Sequence, residues 1–188
     1  MTINFKKTLV SGLVAASLAM VCGSALAAAN PVNVAVTFTG NVKDNTCDTP
    51  TVVNGNTIDF GIISQANFSS TAGTVGKDKV FSLSFTNCGS DAQNVDITFE
   101  GDGAADNASL ANGTAVGDAT GVGVKLFGGT GYATEMTIND PTAKASYTTL
   151  SSGGPHLINL KASAVQTTSA TPSAGTLNTQ GTLVVTYE

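Results

Sequence analysis

A period-two stripe covers residues 32–42. Its even positions carry Val32, Val34, Val36, Phe38, Gly40 and Val42, and the odd positions between them carry Asn33, Ala35, Thr37, Thr39 and Asn41. Only an extended strand, whose successive side chains point to opposite faces, gathers such a set on one side. A strand of this kind must bury its apolar face. Standing near the N-terminal end, it is free to leave its own domain and pair with another. The last residues repeat the pattern: Leu183, Val185 and Tyr187 share one face, and Thr182, Val184 and Thr186 share the other.

Residues 1–27 have the three parts of a secretory signal: Lys6 and Lys7, an apolar run over 9–21, and the small-residue cleavage site Ala25-Leu26-Ala27. The run is too short for a membrane-spanning helix, and Cys22 is expected to be lost with the leader. Removing 27 of the 188 residues leaves about 161, one domain's worth. The domain organisation expected is a signal peptide at 1–27, an N-terminal extension at 28–40 and a folded body at 41–188. With no arginine and an acidic excess, net charge -5, the chain lacks the guanidinium groups that read phosphates and bases. Nucleic acid is therefore excluded as a partner.

Cys47 and Cys88 are the two cysteines beyond the leader, and an even count in an exported chain reads as one disulfide formed in an oxidising compartment. Further ligands for a metal are missing nearby, and no cofactor motif is present. Gly, Thr, Ser, Ala and Asn dominate, and β-branched runs alternate with turn dipeptides such as Asn54-Gly55 and Asn112-Gly113. The pattern is all-β, with strands expected at 32–42, 57–63, 79–86, 95–100, 122–127, 132–138, 156–165 and 182–187. The Asp-bearing stretch 101–121 lacks the ligand spacing of a calcium loop and reads as a solvated connection. No nucleophile elbow surrounds any serine, His156 is the only histidine and stands at a strand start, and both remaining cysteines are committed to a bridge. An enzyme is not expected.

An immunoglobulin-like sandwich needs one more strand beside the strand at 182–187, and the chain ends there, so an apolar groove is expected to stay open. In this order the segments resemble the pilin subunits of chaperone-usher fimbriae, specifically the type 1 fimbrial major-subunit group. Residues 36–47 look like the family's donor strand running into its first core strand and first cysteine. Thr86-Asn87-Cys88 looks like the end of the second strand with the partner cysteine. The family's C-terminal motif falls on Gly175, Leu183, Val185 and Tyr187, with Gly181 at a position that is often apolar. On this resemblance that departure makes the groove shallower at one pocket.

What the resemblance implies is an incomplete immunoglobulin-like sandwich, lacking its last strand and completed by a donor strand from a neighbouring subunit. Val32, Val34, Val36, Phe38 and Gly40 would form the donor strand. Gly175, Gly181, Leu183, Val185 and Tyr187 would form the acceptor groove and the chaperone-docking strand. The partners implied are identical or related pilin subunits, a periplasmic chaperone and an outer-membrane usher. The destination implied is an extracellular fimbrium on the bacterial surface, reached through the periplasm and supporting adhesion. The competing readings are a minor fimbrial subunit and a carbohydrate-binding adhesin module; absence of tryptophan and scarcity of tyrosine argue against the second.

Overall fold

Alternation of β-branched or aromatic residues with small polar ones builds the body almost entirely from antiparallel ladders. The computed structural model describes Thr37, Thr39 and residues 47–187, apart from 91, 93, 149 and 151–153. Within these residues lie the strands Thr51–Val52 (β1), Val75–Phe85 (β2), Val95–Gly101 (β3), Leu110–Ala111 (β4), Val122–Gly128 (β5), Thr134–Met136 (β6), Ala145–Tyr147 (β7), His156–Gln166 (β8) and Gly181–Tyr187 (β9). Single 3-10 turns stand at Gln65–Asn67 and Thr130–Tyr132. These elements all fall within the unit 41–188.

One sheet has the order β1-β2-β8-β5-β4, with β6 also pairing β5, and the other has the order β7-β3-β9. The 11-residue strands β2 and β8 form the spine of the larger sheet, with Phe81 opposite Leu160 and Phe85 opposite His156. Phe85, Leu160 and Ile97 are fully buried where the two sheets face each other, the arrangement that gives a sandwich its core. Near the start of β2 the register shifts between Val75 and Lys77, and the Phe68 ring covers Gly76, where a Cβ would come within 2.4 Å of it. A glycine in a strand commonly marks such a close approach.

Most expected strands are present with shifted ends. The stretch 132–138 is a correction: a 3-10 turn occupies its start and only Thr134–Met136 pairs, because Gly131 adopts the left-handed φ of 67° and turns the chain. A second correction concerns 57–63, which joins no ladder among the described residues. The connection 101–121 also does more than bridge strands. It contributes β4, and Asp106 accepts hydrogen bonds from the Ser109 hydroxyl and the Ser109 and Ala108 amides. Burial raises the Asp106 pKa, but those bonds outweigh it and hold the carboxyl below its ordinary value.

Candidate functional site

The smaller sheet ends abruptly at β9. Its inner edge pairs with β3 in continuous register, Val95 opposite Tyr187, Ile97 opposite Val185, Phe99 opposite Leu183 and Gly101 opposite Gly181. Its outer edge has no partner strand among the described residues. Leu183, Val185 and Tyr187 point at the core yet remain half-buried, whereas their neighbours Val95, Ile97 and Phe99 on β3 are buried. The difference follows from the missing strand: a side chain on an open edge lacks contacts on one flank.

Beside that edge lies a cavity of about 820 Å³. Phe81, Leu126 and Phe99 from both sheets form its floor, Leu183 and Gly181 one wall, and Ile58 and Phe60 the other. A second cavity of about 490 Å³ continues it, between 57–63 and Gly175, Thr176 and Leu177. Residues 57–63 are the opposite lip. Ile58 and Phe60 turn inward in strand alternation; Gly61 then takes the left-handed φ of 61°, and the pleat changes phase so that Ile62 is 92% exposed. Two hydrogen bonds hold the backbone of this lip among the described residues. The Gly61 amide donates to Asp59 Oδ1 at 2.7 Å, and Lys77 Nζ donates to the Ile62 carbonyl at 2.9 Å.

Two open edges thus face each other across a trough with an apolar floor. Each presents backbone groups with no ladder, and buried polar backbone is nearly always paired. An extended segment laid between them satisfies both edges and covers the half-buried side chains of β9.

The glycines of this region are placed by close approach. A Cβ on Gly175 would lie 2.4 Å from the Ala119 amide nitrogen and 2.7 Å from the Gly117 carbonyl oxygen. There the chain crosses against 117–119, the Ala119 amide donating to the Thr176 carbonyl at 3.0 Å and the Thr176 amide to the Gly117 carbonyl at 2.9 Å. Because backbone cannot yield as a flexible side chain can, Gly175→Ala is expected to lower stability by about 3 kcal/mol in urea unfolding. At Gly181 a Cβ would meet the Phe99 ring at 2.5 Å, so the aromatic ring fills the place of the absent side chain.

Asn112 is a residue that sequence patterning passed over. Its amide donates to the carbonyls of Ala119 and Thr176, at 2.8 Å each, and its Oδ1 accepts from the Asn178 amide at 2.8 Å. This clamp fixes the approach to β9. It was visible in the sequence only as half of an Asn-Gly turn.

Cys47 and Cys88 are disulfide-bonded across a separation of 41 residues. The Tyr187 hydroxyl is buried beside this bridge, with no regular hydrogen-bond partner among the described residues. Burial pushes its pKa up, opposed by the facing Cys47 amide. Of the groove residues read from the sequence, Gly181 and Leu183 line the larger cavity and Gly175 the smaller, while Val185 and Tyr187 pack on the core farther along β9. The proposed donor residues Val32, Val34, Val36, Phe38 and Gly40 lie outside the described residues.

Comparison with known proteins matches these features to one group. The sequence model of the family described as Fimbrial protein matches residues 36–188. The S-fimbrial protein subunit SfaG of Escherichia coli O6:K15:H31 (strain 536 / UPEC) is 34% identical over 110 residues, 58% of this chain and 61% of that subunit, which is less than two thirds of its length. A type-1 fimbrial protein subunit of Serratia marcescens is 29% identical over 152 residues, 77% of this chain and 81% of its own. Among solved structures, the P pilus rod subunit PapA superposes with a TM-score of 0.58 at 17% identity, over 74% of this chain and 99% of that one. That likeness concerns the fold.

Proposed function

The chain belongs to the fimbrial protein family, structural proteins exported to form extracellular fimbriae on the bacterial surface, and on that premise we propose that it is a fibre subunit polymerising by donor-strand exchange. The single observation that supports this most is the pair of unladdered edges, β9 and 57–63, facing each other across a trough with an apolar floor. The stripe at 32–42 has the matching chemistry: one apolar face for the trough and an extended backbone for both edges.

Inserting Val32, Val34, Val36 and Phe38 contributes about 1.5 to 3 kcal/mol each, on the order of 10 kcal/mol together before ordering costs. Gly40, lacking a side chain, lets the inserted backbone lie close at a tight point. Donor and acceptor surfaces differ, so the contact is heterologous and grows an open filament instead of a closed ring. Before assembly, an edge strand of a periplasmic chaperone occupies the same trough, and an outer-membrane usher delivers the subunit to the fibre. The organisation 1–27, 28–40 and 41–188 then reads as export signal, donor extension and acceptor body. Gly175, Gly181, Leu183, Val185 and Tyr187 act on the acceptor side.

A synthetic peptide of residues 30–43 tests the reading. Added in excess to the purified chain, it is expected to raise the melting temperature with increasing peptide concentration, as a ligand of the folded state does, and to shorten the fibres. A scrambled peptide of the same composition is expected to do neither. Equal melting temperatures and fibre lengths with both peptides would sink the proposal.

A further inference from the structure

We propose that Lys77 is a positioning residue that holds the acceptor groove open for the incoming strand, an inference that rests on the donor-groove reading above. The lip at 57–63 has an awkward task in the empty subunit. Ile58 and Phe60 border the apolar floor of the trough, and the hydrophobic effect favours their moving across it toward Leu183 on β9. A lip that moved across would close the space the donor needs.

The restraint against this comes from the other sheet. Lys77 stands on β2 in unbroken alternation with Phe81, Leu83 and Phe85, which pack on the core. Its stem therefore lies on the interior side of the larger sheet, and its ammonium reaches out to the Ile62 carbonyl at 2.9 Å. The bond draws the lip toward β2 and away from β9. Its placement next to Gly61 matters. That glycine carries the left-handed turn braced by Asp59 and lines the 490 Å³ cavity, so the bond grips the lip where the chain changes direction. Upstream, 57–60 joins no ladder among the described residues, and its backbone is ready to accept one.

Holding a binding surface in its bound shape removes a cost that otherwise falls on association. Lys77 is thus expected to govern how fast a donor enters, with little effect on how firmly it is held, because a completed ladder then fixes the lip by itself. The experiment follows uptake of a fluorescently labelled peptide of residues 30–43 by the full chain, comparing wild type, Lys77→Met and Lys77→Arg. Lys77→Met keeps most of the apolar stem and removes the donor. It is expected to slow association about fivefold, the scale of one hydrogen bond from a charged group at a partly exposed site, and to leave the dissociation rate unchanged. Lys77→Arg restores a donor and is expected to recover most of the rate.

Hydrogen exchange supplies a second measurement on the same proteins. In the empty chain the amides of 58–63 are expected to exchange differently in Lys77→Met and wild type, and the difference is expected to vanish once peptide is bound. Normal uptake by wild type together with equal association rates in Lys77→Met overturns the tether alone. A wild-type chain that takes up no peptide overturns the groove and the tether with it. A Lys77→Met chain whose peptide dissociates faster, with association unchanged, assigns Lys77 to stability of the filled state and also overturns the proposal.

Discussion

Deleting residues 28–40 is expected to abolish fibre growth while leaving a chain that folds, closes the Cys47–Cys88 bridge and takes up donor peptide. Among the described residues every strand begins at Thr51 or later, so the ladders of the body form between segments that the deletion leaves in place. What the deletion removes is the apolar stripe Val32, Val34, Val36 and Phe38, the donor of the proposed exchange. The asymmetry is the informative part. A segment needed for folding would cost yield and peptide uptake together, whereas a donor costs only the ability to be passed on. Size measurement and electron microscopy of the purified variant decide the matter; long fibres from the truncated chain would refute the donor role.

Replacing both bridging cysteines, Cys47→Ser with Cys88→Ser, is expected to lower stability by about 4 kcal/mol. The bridge closes a 41-residue separation, and in the chain-entropy model a loop of that size restricts the unfolded state by about this amount. Such a loss takes a large share of the 5 to 15 kcal/mol typical of a domain. Here it falls on a body whose core is open along β9, so the empty subunit has less apolar burial to offset it. Urea unfolding of the wild type with and without reductant, beside the double variant, measures the effect. Coincident midpoints for oxidised and reduced protein would count against it.

Strands long enough to show a period were legible in the sequence. β9 is the clearest case, since Leu183, Val185 and Tyr187 face the core as their alternation implies. β1 and β4, of two residues each, and β7, of three, were not, because so short a segment carries no period and owes its pairing to the tertiary fold. The expectation of a strand at 57–63 shows what patterning can and cannot say. Burial alternates through Phe60 as it does in a strand, but a ladder needs a second backbone, and none of the described residues supplies it. Within that segment the left-handed turn at Gly61 could be suspected from the glycine, whereas the bond from Lys77 to the Ile62 carbonyl depends on a side chain 15 residues away. The same limit applied to Phe99 over Gly181 and to the Asn112 clamp: each is a contact between distant segments, and local sequence records neither partner.

The place of the disulfide has a mechanical consequence. Cys47 is where the described body begins, just after the segment proposed to reach into a neighbour, and Cys88 follows the far end of β2. A pull on the arm enters at Cys47, and the bridge gives it a covalent route to Cys88 beside the span that holds the groove lip. That pull is thereby shared with the far end of β2, and less of it falls on the lip from this side.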